Sequence, residues 1–120
     1  MIKTLLITTL LATPALQASA PDGKTLYATK LCVTCHGADG KPTAPIYPTI
    51  FGKDTACLEK EYKLIMDGTR KGMAATMKAM VAAQKLTDAE IKAVLAYAAK
   101  QKIPDGLKDP ATTKCKVAKK

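Results

Sequence analysis

Cys32-Val33-Thr34-Cys35-His36 is the stretch on which the reading turns. C-x-x-C-H is an attachment signature for a covalently bound haem, and its spacing has a physical reason. Two thiols three positions apart on one helical turn share a face, so each can add to one vinyl group of the same haem. The adjacent imidazole then stands under the iron and offers it a nitrogen. Three rival uses of these residues stay open at this point. A dithiol of thioredoxin type needs strands before and after the motif, and no strand-period alternation stands out here. A zinc site would need Cys57 or Cys115 beside Cys32, Cys35 and His36, the only histidine. Four cysteines in a secreted chain can also pair as disulfides in three ways.

Working outward, residues 22–35 read as a first helix running into the motif, with Leu26, Tyr27 and Leu31 near helical spacing. Residues 37–54 cannot be regular, because Gly37, Gly40, Pro42, Pro45, Pro48 and Gly52 fix or free the backbone throughout. A loop of that length in a small domain covers something. Residues 55–67 read as a helix on Leu58, Tyr62, Ile65 and Met66, stopped by Gly68. Residues 69–86, rich in Met and Ala and interrupted at Gly72, read as loop then helix. The clearest helix is 88–102. Thr87 and Glu90 form its capping box, and Ile91, Val94, Leu95 and Ala98 form its apolar stripe. Residues 104–120 are a Lys-rich tail containing Cys115.

At 120 residues with no Trp and one Phe, the chain suffices for one domain whose core is short of large side chains. A bound prosthetic group would supply the missing volume. Residues 1–20 read as a signal peptide: Lys3, an apolar run from Thr4 to Leu16, then Ala18-Ser19-Ala20. The run is too short to span a bilayer. Cleavage after Ala20 would leave Pro21 at the cut, so cleavage after Ala18, or an uncleaved anchor, stays open. The expected location is the periplasm, with no membrane span in the mature protein. The balance of 19 Lys and Arg against 10 Asp and Glu gives +9, and loss of Lys3 leaves +8. Lysines spread along the chain without interleaved aromatics argue against nucleic acid and fit acidic partners.

The ordered set of motifs resembles the class I c-type cytochromes, particularly the small bacterial ones, over about Asp22 to Lys100. Gly23 and Tyr27 precede the haem motif. Gly37-Ala38-Asp39-Gly40 follows it, then Pro45-Ile46-Tyr47-Pro48-Thr49-Ile50-Phe51-Gly52. A Met-bearing segment leads into Leu86-Thr87-Asp88-Ala89-Glu90-Ile91 and an Ala-rich helix containing Tyr97.

That resemblance implies an all-α fold of about four helices around one haem c, thioether-linked through Cys32 and Cys35. It implies His36 and a methionine as axial ligands, with Met77 preferred and Met80 or Met73 as alternatives. It implies that the Pro45 carbonyl accepts a hydrogen bond from the other His36 nitrogen. Tyr47 and Ile50 are expected on the haem edge and Tyr97 on the helix pair. Arg70 is either a partner for a haem propionate or a surface charge. In an oxidising compartment the leftover Cys57 and Cys115 are expected to pair, with separate free thiols or a link to another protein as the alternatives. That bond would pin the tail to the start of the 55–67 helix and stabilise by about 4 kcal/mol in the chain-entropy model. The function implied is one-electron transfer between a redox donor and acceptor with acidic docking surfaces, by a monomeric carrier at 21–103 with the tail at 104–120. The alternatives are a haem-bearing subunit of a larger redox enzyme, a gas- or peroxide-binding haem protein, and a haem-free C-x-x-C thiol oxidoreductase.

Overall fold

Asp22 caps the first helix: its carboxylate accepts from the Thr25 amide at 3.3 Å and the Thr25 hydroxyl at 2.6 Å. Those bonds satisfy a donor that the first helical turn leaves without a backbone partner. The computed structural model describes residues 22–107 and 115–118; the expected signal peptide at 1–20 lies outside them. Five helices follow in order: α1 Gly23–Thr29, α2 Cys32–His36, α3 Thr55–Met66, α4 Met73–Gln84 and α5 Asp88–Lys100. Among the described residues extended pairing is confined to one antiparallel bridge between Lys53 and Val117, so the fold is all-α. No helix among them is long and apolar enough to cross a membrane.

The helix expected over 22–35 is in fact two. The Lys30 amide closes α1 on the Leu26 carbonyl at 2.8 Å. Leu31 then takes a left-handed conformation, φ 67° and ψ 9°, which disfavours an L side chain by about 1–2 kcal/mol. The strained residue re-aims the chain, so that α2 carries the motif as a separate turn. α3 starts at Asp54, whose carboxylate accepts from the Cys57 amide at 3.0 Å. α5 starts at the capping box, Glu90 N to Thr87 Oγ1 at 3.2 Å and Thr87 N to Glu90 Oε1 at 3.0 Å, and ends two residues before the expected limit.

α5 is buried on two sides. Val94 and Ala98 pack with Leu26, Tyr27 and Phe51, while Ile91, Leu95 and Ala99 pack with Leu58 and Cys115. α1 approaches α5 so closely that a Cβ on Gly23 would lie 2.1 Å from the Ala93 carbonyl oxygen. The rings of Tyr27, Phe51 and Tyr97 cluster at 5.4–5.8 Å. The few aromatics are thus concentrated at this crossing, where tilted ring pairs add to their area burial.

Two features set up the site. α4 is mostly apolar, yet none of its residues is buried. It packs against α3, and its remaining apolar surface faces a cavity. In the tail, Cys115 is joined to Cys57 by a disulfide. Asp54 donates to the Lys116 carbonyl at 3.0 Å, and Ala118 to the Gly52 carbonyl at 2.8 Å.

Candidate functional site

α2 consists of the motif itself. Its single turn places Cys32 and Cys35 on one face, with His36 completing the turn from Cys32. The two cysteines are half-buried and are not bonded to each other. Burial pushes the Cys32 thiol up. His36 is buried, 7% exposed, and its Nδ1 lies 2.9 Å from the Pro48 carbonyl oxygen. A carbonyl only accepts, so Nδ1 carries the proton, and in the neutral ring Nε2 keeps its lone pair. Burial holds the imidazole below its ordinary value, against an opposing contribution from the Pro48 bond. Burial thus favours the neutral ring, the form in which an imidazole ligates a metal.

That bond corrects the expectation for Pro45. A turn in which the Tyr47 amide donates to the Ala44 carbonyl at 3.1 Å carries Pro45 to the exposed surface. The chain returns to the ring three residues later, at Pro48. Nothing in the Pro-x-x-Pro spacing distinguishes the two carbonyls; the turn does.

His36 and Cys32 stand in the walls of two adjoining cavities of about 300 Å³ and 180 Å³. Leu58, Ile91, Val94 and Leu95 face the larger one together with Ile50 and Cys115. Ala74, Met77 and Val81, at three- and four-residue steps along α4, face both. This explains why an apolar helix has no buried residue: its partner surface is the cavity. Met73 and Met80 face the smaller cavity only, and Met73 is 41% exposed. The site thus gathers both motif thiols, the imidazole, all three candidate methionines, Tyr47 and Ile50. Pro45 stays outside it.

These residues fit a haem. The space is walled by aliphatic side chains, the two thiols and the imidazole lie along one side of it, and thioethers lie on α4. The rival uses fit less well. No group of three or more His, Cys, Asp and Glu side chains comes together among the described residues, and Cys57 and Cys115 are committed to each other. No strand flanks the motif among the described residues.

Arg70 faces the larger cavity, but Glu61 already meets its charge. Nε donates to Oε2 at 3.0 Å and Nη2 to Oε1 at 2.8 Å. The Arg70 amide bonds the Leu64 carbonyl at 3.0 Å, folding Arg70 back over α3, where Glu61 sits. The propionate-partner expectation therefore competes with a two-pronged ion pair, and Lys30 and Lys71 stand in the same wall. Tyr47 lies against the Cys35 thiol, a contact that pushes the phenol up. Sequence reasoning missed Pro48, Glu61 and the placing of Cys115 in the cavity wall. The second proline was visible; the other two depend on tertiary contacts with no local signal.

Leu31, Ile46 and Met73 are the exposed large apolar residues around the smaller cavity, at 46%, 60% and 41%. Lys30 lines the same cavity.

The family model described as "Cytochrome c" matches residues 20–102. The chain is 46% identical over 71 residues to cytochrome c-554(548) of Halomonas halodenitrificans, covering 58% of this chain and 83% of that protein. It is 35% identical over 80 residues to cytochrome c4 of Pseudomonas aeruginosa, covering 67% of this chain but only 38% of that one.

Proposed function

From the premise that this chain belongs to the cytochrome c family, as a class I c-type electron carrier rather than an enzyme, we propose that it is a periplasmic monohaem shuttle with His36 and Met77 as axial ligands. The haem-binding domain is 21–103, preceded by a signal peptide at 1–20 and followed by a tail at 104–120. Cys32 and Cys35 would hold the single haem through thioethers. Bound haem supplies the one-electron iron couple; the chain's own residues bury it, orient its ligands and find its partners.

The observation that carries this reading is the buried His36, whose Nδ1 is bonded to the Pro48 carbonyl. That bond fixes the ring's orientation and tautomer, leaving Nε2 for the iron and raising its basicity. Support for Met77 is positional. Like Met80 it is half-buried, but it borders both cavities, whereas Met73 and Met80 border one. A thioether in that position raises the reduction potential relative to a second imidazole. The exposed apolar residues Leu31, Ile46 and Met73 at the mouth, with the chain's net positive charge, suit brief docking to acidic redox partners.

Variants Met73→Ala, Met77→Ala and Met80→Ala test the ligand assignment. Met77→Ala should lose the ferric iron–thioether charge-transfer absorption, lower the potential and admit carbon monoxide to the reduced protein. The other two should retain the absorption. Its survival in Met77→Ala would exclude Met77.

A further inference from the structure

The tail does more than end the chain. Of its residues at 115–118, Cys115 alone is buried, at 5% exposed, while Lys116 and Val117 stand in solvent. The Cys115 side chain inserts among Leu58, Ile91, Leu95 and Ala99. The first three of those, like Cys115 itself, face the larger cavity. A simple surface tether would not need to place its sulfur in the wall of the cavity.

The backbone of the same strap clamps a second element. Lys116 and Ala118 bond Asp54 and Gly52, and the Gly52 amide bonds the Ala98 carbonyl of α5 at 3.0 Å. Gly52 is buried and closely packed there: a Cβ would lie 2.6 Å from Ile103 Cγ1. The residues that lead into this clamp are Pro48, whose carbonyl holds His36, Ile50 in the cavity wall, and the buried Phe51. The strap thus fixes one end of a short run whose other end orients the imidazole.

We propose that residues 115–118, locked by the Cys57–Cys115 disulfide, act as a positioning wall of the haem pocket. They keep water out of the larger cavity and hold the 48–54 run, and through it His36, in place. The proposal rests on the reading of the cavity as a haem pocket. Its physical content is that a site's apolar shell and the partners of its ligands tune the iron as well as the ligands do. With the lock open, the Met77 thioether would be held in place for less of the time, and an added ligand would bind more tightly in proportion to the fraction of protein in which it is released.

The test uses the haem-loaded protein in two forms. One is the double variant Cys57→Ser/Cys115→Ser. The other is wild type treated with a phosphine and then alkylated. There the disulfide takes two electrons and two protons to give two thiols, and the phosphine leaves as its oxide with oxygen from water. Cys57 borders an open cleft beside Lys100 and Lys116, which gives the reagent an approach. Imidazole affinity of the ferric protein, the iron–thioether absorption and the reduction potential are read in each. Imidazole affinity should rise by about tenfold, the low end of what losing the partners around a ligand does, the absorption should weaken and the potential should fall. A lower melting temperature with all three readouts unchanged would overturn the proposal, leaving the bond as a tether only. Should the double variant fail to load haem, the alkylated wild type decides. Wild type lacking covalent haem, or lacking the thioether absorption before treatment, would instead count against the haem reading itself.

Discussion

Gly23→Ala should destabilise the protein although alanine is the better helix former. In a helix interior the exchange gains up to about 1 kcal/mol, and less at Gly23, the first residue of α1. Against that stands the crossing with α5. The new Cβ would lie 2.1 Å from the Ala93 carbonyl oxygen, 2.7 Å from its carbon and 2.9 Å from Tyr97 Cβ, where real Cβ contacts stay beyond 3.0 Å. Two of these atoms are backbone, so no rotamer relieves the clash. α1 must retreat by about 1 Å, the gap between 2.1 and 3.0 Å, on a scale where such a shift forfeits much of a contact's attraction. Leu26 and Tyr27 move with it, away from Val94, Ala98 and Phe51. Overpacking of this kind disfavours the fold by about 1–3 kcal/mol, which outweighs the propensity gain and leaves a net loss of about 1–2 kcal/mol. For a domain of this size that corresponds to roughly 10 °C in Tm. Urea and thermal unfolding of the haem-loaded protein, followed by far-UV circular dichroism, would measure it. The visible spectrum of the folded variant should match wild type, because the proposed ligands sit on α2 and α4. A variant as stable as wild type, or more so, would refute the argument from the crossing.

Tyr27→Phe removes the 2.6 Å bond from the buried hydroxyl to the Gly37 carbonyl and should lower denaturant stability by about 1–3 kcal/mol; an unchanged midpoint would contradict this. Thr87→Ala should lose about 1 kcal/mol of cap energy, read from the same curves. Glu90 is held below its ordinary value of 4.5 by its bonds with Thr87. Its folded value lies below its unfolded one, so its contribution is complete above 4.5 and is lost as pH falls through the depressed value. The stability gap between wild type and Glu90→Gln should therefore close in acid, and a gap that stays constant would refute the linkage. Electron-transfer rates with an acidic partner protein should fall as salt screens the mature chain's net +8, the full sequence's +9 less Lys3; rates indifferent to ionic strength would remove the steering argument.

Much of this architecture is legible in the residues, and the exceptions have identifiable causes. The Thr87–Glu90 capping box and the stripe on α5 are local patterns, and the helix starts where they place it. The break before α2 is not legible, because its pivot is a left-handed leucine rather than a glycine. The start of α4 after Gly72 can be read, but its apolar composition suggests a buried helix and only the cavity explains its exposure. Pro45 and Pro48 look equivalent along the chain, and a single turn decides which carbonyl meets His36. Arg70 and Glu61 meet because the chain folds back after α3. Lys53, which is fully buried, would be placed on the surface by any composition rule. Its backbone pairs with Val117 of the tail, a long-range contact that no local pattern announces.

The central claim is covalent haem at Cys32 and Cys35, and the intact mass of protein matured in a bacterial periplasm tests it most directly. The account predicts a denaturation-resistant mass equal to the processed chain plus one haem, with no alkylation at either motif thiol. A competent maturation system that yields the bare chain, with Cys32 and Cys35 free to alkylate, would contradict it.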